Sequence, residues 1–439
     1  MEYFHEGSPE SVIDEARAAE LIDAMLSRLS LVAQPPSAVA VGGLRRVLLL
    51  PPDFTRFHSR AGELTVLLYR RLAASAHVEI MPAIGTHAPM TPAEIDAMFP
   101  GIPWDRFHVH DWRRDLARLG EVPRDFVREV SDGKVDFAIP CEINRLLVEG
   151  RWDRIVSIGQ LVPHEVAGIA NHNKNVFVGV GGQETINKSH YLGAVYGMER
   201  IMGRAYSPVR DVFDYMSEHF ARDLPISYLL TVRAMDPATS KLVTRGLYAG
   251  DDDACFQRGA RLSREVNVNL LDTPIQRAVV YLNPDEYKSA WLGNKAIYRM
   301  RMAMADGGEL IILAPGLHRF GEDPGIDRLI RKYGYRGMER TMASVEGNED
   351  LRANLAAAAH LIHGSSEERF SIAYCTGQDS LSREEIEGVG FRHADLKEAL
   401  ARYSPDRLTD GFNRLPDGER IFYVSNPALG LWGLRAQFR

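Results

Sequence analysis

Two histidines, three asparagines and a lysine fall within twelve residues, His164 to Asn175, of this 439-residue chain. The stretch reads Val162-Pro163-His164-Glu165-Val166-Ala167-Gly168-Ile169-Ala170-Asn171-His172-Asn173-Lys174-Asn175. So many polar tips do not suit a plain core helix. The neighbouring glycines, Gly168 and those of Gly179-Val180-Gly181-Gly182, let a backbone approach a ligand closely. The stretch therefore reads as a ligand-binding loop, with a solvated polar loop as the bland alternative. Ser189-His190 adds one more imidazole, the side chain that titrates near neutrality and also binds borderline metals. Gly179-x-Gly-Gly182 lacks the third glycine of a dinucleotide fingerprint, and no ribose-binding acid follows it.

A second cluster is Asp53-Phe54-Thr55-Arg56. Arginine there offers a planar fork for a carboxylate, and aspartate can orient that fork or a nearby imidazole. Standing alone, the cluster would read as a surface turn, and His87 of Gly85-Thr86-His87 as a loop histidine.

The elements that position these residues are strands ending in polar loops. Arg45 to Leu50 is an apolar run stopped by Pro51-Pro52, Val78 to Met81 leads to Gly85-Thr86-His87, and Asp153 to Gly159 leads to Gln160–His164. Thr91-Pro92-Ala93-Glu94 predicts a capped helix start. Strand, loop and helix alternate, which predicts an α/β fold with polar residues gathered where strands end. The pattern restarts with Ala278 to Leu282, a helical stretch to about Ala305, and Leu310 to Gly316. We expect two α/β domains with a cofactor and substrate cleft between them: residues 1–275 as cofactor-binding and catalytic domain, and 276–415 as a C-terminal α/β domain. The tail, 416–439, is expected to pack back on the first domain, and Ala356–Ala359 to be helical.

Composition narrows the function classes. A formal charge of -7, spread as mixed-sign clusters, provides no basic stripe for nucleic acid. No run of about 18 apolar residues occurs, and the opening Met1-Glu2-Tyr3-Phe4-His5-Glu6 lacks the pattern of a signal peptide, so a cytoplasmic protein without a membrane partner is expected. Cys141, Cys255 and Cys375 are far apart and form no C-x-x-C pair, so they suggest buried small residues.

Taken together and in order, the motifs resemble the lactate racemase family: Asp53-x-Thr55-Arg56, Gly85-Thr86-His87, and Pro163-His164-x-x-x-Gly168, with Lys174 ten residues after the histidine and His190 sixteen after the lysine. A weaker match, Asn283-Pro284-Asp285 with Lys295 and Gly308, extends the likeness into the second half. The resemblance implies a nickel pincer nucleotide, a nicotinic-acid-derived mononucleotide that binds nickel through carbon and two sulfurs and is joined to a lysine as a thioamide. It puts the tether at Lys174, the nickel ligand at His190, the catalytic pair at His87 and His164 with Asp53 as orienter, and the substrate carboxylate at Arg56 and Lys295. Asn171 and Asn173 are carried along as cofactor contacts and Trp291 as a substrate contact. The implied reaction is racemisation or epimerisation at C2 of a 2-hydroxy acid, the C2 hydrogen travelling as hydride to the cofactor. A base must take the hydroxyl proton as hydride departs, and the mirror-image substrate presents its hydroxyl elsewhere, so two bases are expected. The implied partners are the substrate and the enzymes that build the cofactor.

Departures from the family pattern bear on substrate. Where the family commonly has a serine, two glycines and an arginine before the tether lysine, this chain has Ala170-Asn171-His172-Asn173. Where it has a tyrosine and a glutamine, this chain has Trp291-Leu292, and the region around Arg352 has no counterpart of a later tryptophan. We therefore expect a substrate other than lactate; extra asparagines and a histidine favour a sugar acid over a bulkier apolar side chain. The alternatives are a nicotinamide-dependent hydroxy-acid oxidoreductase and a non-catalytic small-molecule-binding homologue; the joint presence of Lys174, His190 and both histidines speaks against the latter.

Overall fold

The structure is a computed structural model that describes residues 1–32, 43–236, 238–239 and 241–438. The chain forms two compact units, Met1–Leu192 with Ile201–Val266, and Gly193–Arg200 with Asn267–Arg439. In the first, six strands form one sheet in the order Glu2–Gly7, Lys241–Gly250, Ile226–Asp236, Arg154–Gln160, Arg46–Leu50, His77–Ile80. The last four are mutually parallel, and Lys241–Gly250 runs antiparallel to both of its neighbours. Val47 to Leu50 are fully buried because this strand is central and covered on its faces, which is why it reads as a continuous apolar run. Helices Glu15–Val32 and Ala61–Leu72 contribute Ile22, Met25, Leu64 and Leu68 to the core that also holds Val47, Leu49, Ile80 and Val156.

The registers Leu49↔Ile80 and Leu49↔Val156 set three parallel strands side by side, so the loops after Leu50, Ile80 and Gln160 leave the same carboxyl edge of the sheet. In open α/β sheets that edge is where ligands bind. Helix Pro92–Met98 starts as predicted, with Thr91 and Glu94 closing a capping box.

The second unit has a sheet ordered Arg392–Asp395, Ser371–Thr376, Met304–Leu313, Ile275–Tyr281, Arg420–Val424, Gly411–Arg414, parallel except for the last strand. Three expectations change here. Residues 416–439 belong to the second unit: Arg420–Val424 is inserted beside Ile275–Tyr281, where Ile421 and Tyr423 join the core of Val279, Ile311 and Leu313. Leu431–Leu434 pairs with Val268–Leu271, which draws the start of the second unit back to Asn267. The helical stretch expected to Ala305 ends at Met300, because Met304 already pairs with Ile275. The alanine run lies in helix Leu355–His363 as expected. Among the described residues no helix is long and apolar enough to cross a membrane.

Candidate active site at the carboxyl edge of the first sheet

Asp53 stands three residues beyond Leu50 and caps the short turn Phe54–Ser59; its Oδ1 accepts from Thr55 N at 3.1 Å and from Thr55 Oγ1 at 2.5 Å. Its Oδ2 accepts from His87 Nδ1 at 2.6 Å. Burial opposes the Asp53 charge, but the hydrogen bond and charge of His87, with Thr55 and Arg56, outweigh it and hold the carboxyl below its usual range. His87 reaches this position through a turn in which Gly85 has φ 58 and donates its N–H to Gly179 O at 2.8 Å. A residue with a Cβ is strained there. Arg56 is half-buried and hydrogen-bonds to Thr55, and its fork carries no ion pair with a carboxylate among the described residues.

His164 ends a two-residue strand paired with Gly168–Ile169. Gly168 has φ 79, and a Cβ on it would lie 2.1 Å from Arg204 O, so this motif glycine is required sterically. His164 is 8% exposed, and its Nδ1 accepts from Val166 N at 3.1 Å and more weakly from Ala167 N at 3.4 Å. Burial, reinforced by the positive charges of Lys174, His190 and Arg56, holds it well below the ordinary histidine value against the pull of Glu165. Lys174 keeps part of its surface accessible, yet the protein packed around it desolvates the ammonium and, with Arg56 and Arg210, lowers it to about 8. His190 lies on helix Gln183–Tyr196, and its Nδ1 donates to Ile186 O at 2.7 Å, leaving the ring's lone pair on Nε2. Asp53, Arg56, His87, His164, Lys174 and His190 thus share one unit, and each acts electrostatically on at least one other of the six.

Asparagines frame Lys174 on both sides. Asn175 Nδ2 donates to Leu50 O and to Ser157 Oγ, each at 3.0 Å, tying the lysine to the end of one strand and the middle of its neighbour. Asn173 Nδ2 donates to Asp214 Oδ1 at 2.6 Å, and its Oδ1 accepts from Arg210. Arg210, 1% exposed, also donates to Ile169 O at 2.6 Å and Asn171 O at 3.3 Å. Arg210→Met is therefore expected to lower stability by about 1–3 kcal/mol for each buried acceptor left unpaired, measurable as a reduced urea midpoint.

The family comparisons agree with this geometry. A family model described as the lactate racemase N-terminal domain matches residues 3–201, the span that holds every site residue of the first unit named above except Arg210 and Asp214. The chain resembles the lactate racemase family. The lactate racemase of Thermoanaerobacterium thermosaccharolyticum is 26% identical over 323 residues, 68% of this chain and 69% of that protein. A crystal structure of a protein from Thermotoga maritima aligns with TM-score 0.79 at 24% identity, covering 96% of this chain and 98% of that one. The lactate racemase apoprotein structure from Thermoanaerobacterium thermosaccharolyticum aligns with TM-score 0.68 at 18% identity, covering 94% and 92%. These two alignments establish the shared fold.

Against the lactate racemase pattern, the altered loop before Lys174 acquires a physical account. Asn171 and His172, where the family commonly has two glycines, have φ 64 and 59. That backbone costs a residue with a Cβ roughly 1–2 kcal/mol. Asn171 offsets part of it by accepting His172 N at 2.9 Å on its own Oδ1, and the His172 ring packs 3.9 Å from Tyr228 and 5.0 Å from Phe256. Asn171, His172 and Asn173 are thus engaged within the protein, and they do not carry the choice of a sugar acid. Gly179, Gly181 and Gly182 also answer to internal packing: a Cβ on Gly181 would lie 1.8 Å from Phe177 O.

Lys295 and Trp291 belong to the second unit, Lys295 opening helix Lys295–Met300. Trp291 stacks on His360 with ring centroids 4.3 Å apart, and His360 is held by Tyr298 OH at 2.8 Å and Tyr335 OH at 2.9 Å. Sequence reading missed His360 and Arg210. The available signal for Arg210 was a charge among Val209, Val212, Phe213 and Met216 on one helix.

Proposed function

We propose that this protein is a racemase or epimerase that inverts C2 of a 2-hydroxy acid with a nickel pincer nucleotide attached to Lys174. The observation that carries the reading is the convergence of an Asp53–His87 pair, Arg56, His164 and a desolvated lysine amine on neighbouring loops of one sheet edge. The residues present suit the cofactor. Among the described residues no cluster of three or more His, Cys, Asp or Glu could hold a metal, whereas His190 presents one imidazole whose Nδ1 proton is committed to Ile186 O. A single ligand of this kind fits a metal whose remaining donors come from an organic group, and an amine lowered to about 8 is available for acylation near neutral pH. When bound, the pincer nucleotide supplies an acceptor for the C2 hydrogen.

The chain's own residues do the rest. Arg56 holds the substrate carboxylate through its planar fork. His87 and His164 attend the hydroxyl, and Asp53 fixes the orientation of His87. The decisive test is intact mass and nickel content of protein made alongside the cofactor-building enzymes, followed by a screen of lactate, sugar acids and aryl or alkyl 2-hydroxy acids for inversion. A covalent adduct with about one nickel and inversion of at least one acid support the reading. Reversible nicotinamide dependence without an adduct would turn it into an oxidoreductase, and ligand binding without turnover into a binding protein.

A further inference from the structure

We infer that the first unit holds a second ligand pocket, apart from the site of the proposed reaction, which takes a small organic acid bearing one negative charge on an apolar body. The pocket is a cavity of about 490 Å³ beside the turn Phe54–Ser59. That size falls within the ~300–1,000 Å³ of small-molecule sites. Every residue that lines it belongs to the first unit. Phe57, Val66, Leu67 and Met98 give it an apolar side, and the Phe57 ring, 46% exposed, is left for a ligand to cover.

The opposite side is set by three arginines and two acids, Arg60, Arg70, Arg233, Glu15 and Glu63. Arg60 is spoken for. Its Nε donates to Glu63 Oε2 at 2.9 Å and its Nη2 to Glu63 Oε1 at 2.7 Å, while Nη1 donates to Ile13 O at 2.7 Å and Thr244 Oγ1 at 3.2 Å. These bonds also hold its backbone in the left-handed region, φ 69, where a residue with a Cβ is strained. Arg60 and Glu63 thus form a neutral wall. Glu15 and Arg70 are both exposed, and their charges cancel.

Arg233 is what remains. It is half-buried, and its Nη2 donates to Leu242 O at 2.7 Å. Its Nε is enclosed without a partner, its Nη1 has none among the described residues, and no carboxylate there pairs with it. Burial and the charge of Arg60 oppose its cation more than Glu63 supports it, and lower it to about 10. A desolvated guanidinium without a counter-ion weakens a fold unless an anion comes to it. A carboxylate at Nη1 supplies acceptor and counter-charge together, as a charge-assisted hydrogen bond. One unmatched cation suits a monoanion, and a polyphosphate would set surplus charge against Glu15 and Glu63. The two sites also keep separate arginines: Arg56, which holds the proposed substrate, does not line this cavity, although its neighbour Phe57 does.

The experiment is calorimetric titration of the full chain without cofactor, at pH 7, with hexanoate, hexanamide and acetate as probes. Hexanoate should bind saturably, and hexanamide and acetate ~10-fold or more weakly, since the first lacks the charge and the second the apolar body. Arg233→Met should weaken hexanoate by the same ~10-fold or more. Phe57→Glu, which sets a carboxylate against the ligand at an exposed position, should do likewise, and it decides the matter if Arg233→Met does not fold. Arg56→Met should leave the affinity unchanged. In protein labelled with ¹³C-methyl methionine and assigned with Met98→Leu, hexanoate should shift the Met98 methyl. Equal binding of acid and amide, affinity that survives Phe57→Glu, or no saturation by ~10 mM hexanoate overturns the inference. Loss of binding in Arg56→Met would place hexanoate in the substrate site and overturns it too. None of these readings needs cofactor or turnover, so a missing adduct strikes the proposed reaction and leaves this pocket standing.

Discussion

Alanine at position 87 is expected to slow inversion by ~10²–10⁴-fold, the usual worth of a positioned base, with little change in folding. The side chain of His87 is 36% exposed, whereas the Asp53 side chain that holds it is 6% exposed, so removing the imidazole opens no core. Asp53→Asn sharpens the test. An amide can offer N–H toward Nδ1 and pull the His87 proton onto Nε2, removing the lone pair while keeping shape. The measurement is chiral chromatography of a single enantiomer incubated with loaded protein, alongside thermal unfolding. Either variant retaining near-native turnover would remove His87 from the base role. Acid should act in the same direction. The Asp53 carboxyl lies below its usual value when folded, so its stabilising charge is present above the unfolded value of 3.8 and is lost as pH falls through the folded one.

Replacing Lys174 should have the second large effect, complete loss of the covalent adduct. Lys174→Arg keeps a cation but offers no acylatable amine at neutral pH, and Lys174→Met keeps the volume without the charge. Both should show unmodified intact mass and nickel well below one equivalent after expression with the cofactor-building enzymes. The apoprotein provides an independent check. Brief treatment with acetic anhydride, read by peptide mass spectrometry, should label Lys174 with a midpoint near 8, whereas ordinary lysines follow 10.5. The sign follows from burial: below the midpoint the ammonium dominates and resists acylation, above it the free amine reacts. An adduct surviving in either variant would mean that another group carries the cofactor.

Much of this architecture was legible from residue patterns, for identifiable reasons. Buried parallel strands read as unbroken apolar runs, and their ends are marked by residues with few alternatives: Pro51-Pro52 after Leu50, Gly85 in a left-handed turn, Gly168 against Arg204 O. Those marks also locate the site, because the polar loops follow adjacent strands. What pattern could not supply was address. Ile421-Phe422-Tyr423-Val424 is plainly a strand, but nothing local says that it slots beside Ile275–Tyr281. The helical residues before Ala305 stop early because pairing at Met304 overrides local preference. Arg210 and His360 escaped notice for the same reason, since each is defined by partners distant in sequence. The asparagines around Lys174 show the converse. Their polarity was visible and was assigned outward to ligands, whereas their hydrogen bonds run inward.

Asn175 gives the reactive lysine a dependence on the order of assembly. Its bonds to Leu50 and Ser157 join positions 125 and 18 residues away in the chain. Until both strands have docked, Lys174 is an ordinary lysine on a solvated chain, protonated at neutral pH. Its nucleophilic amine emerges only once the sheet is complete. On the proposed reading, attachment at that amine is confined to finished copies of the chain, since nascent or misfolded ones keep an ordinary, protonated lysine.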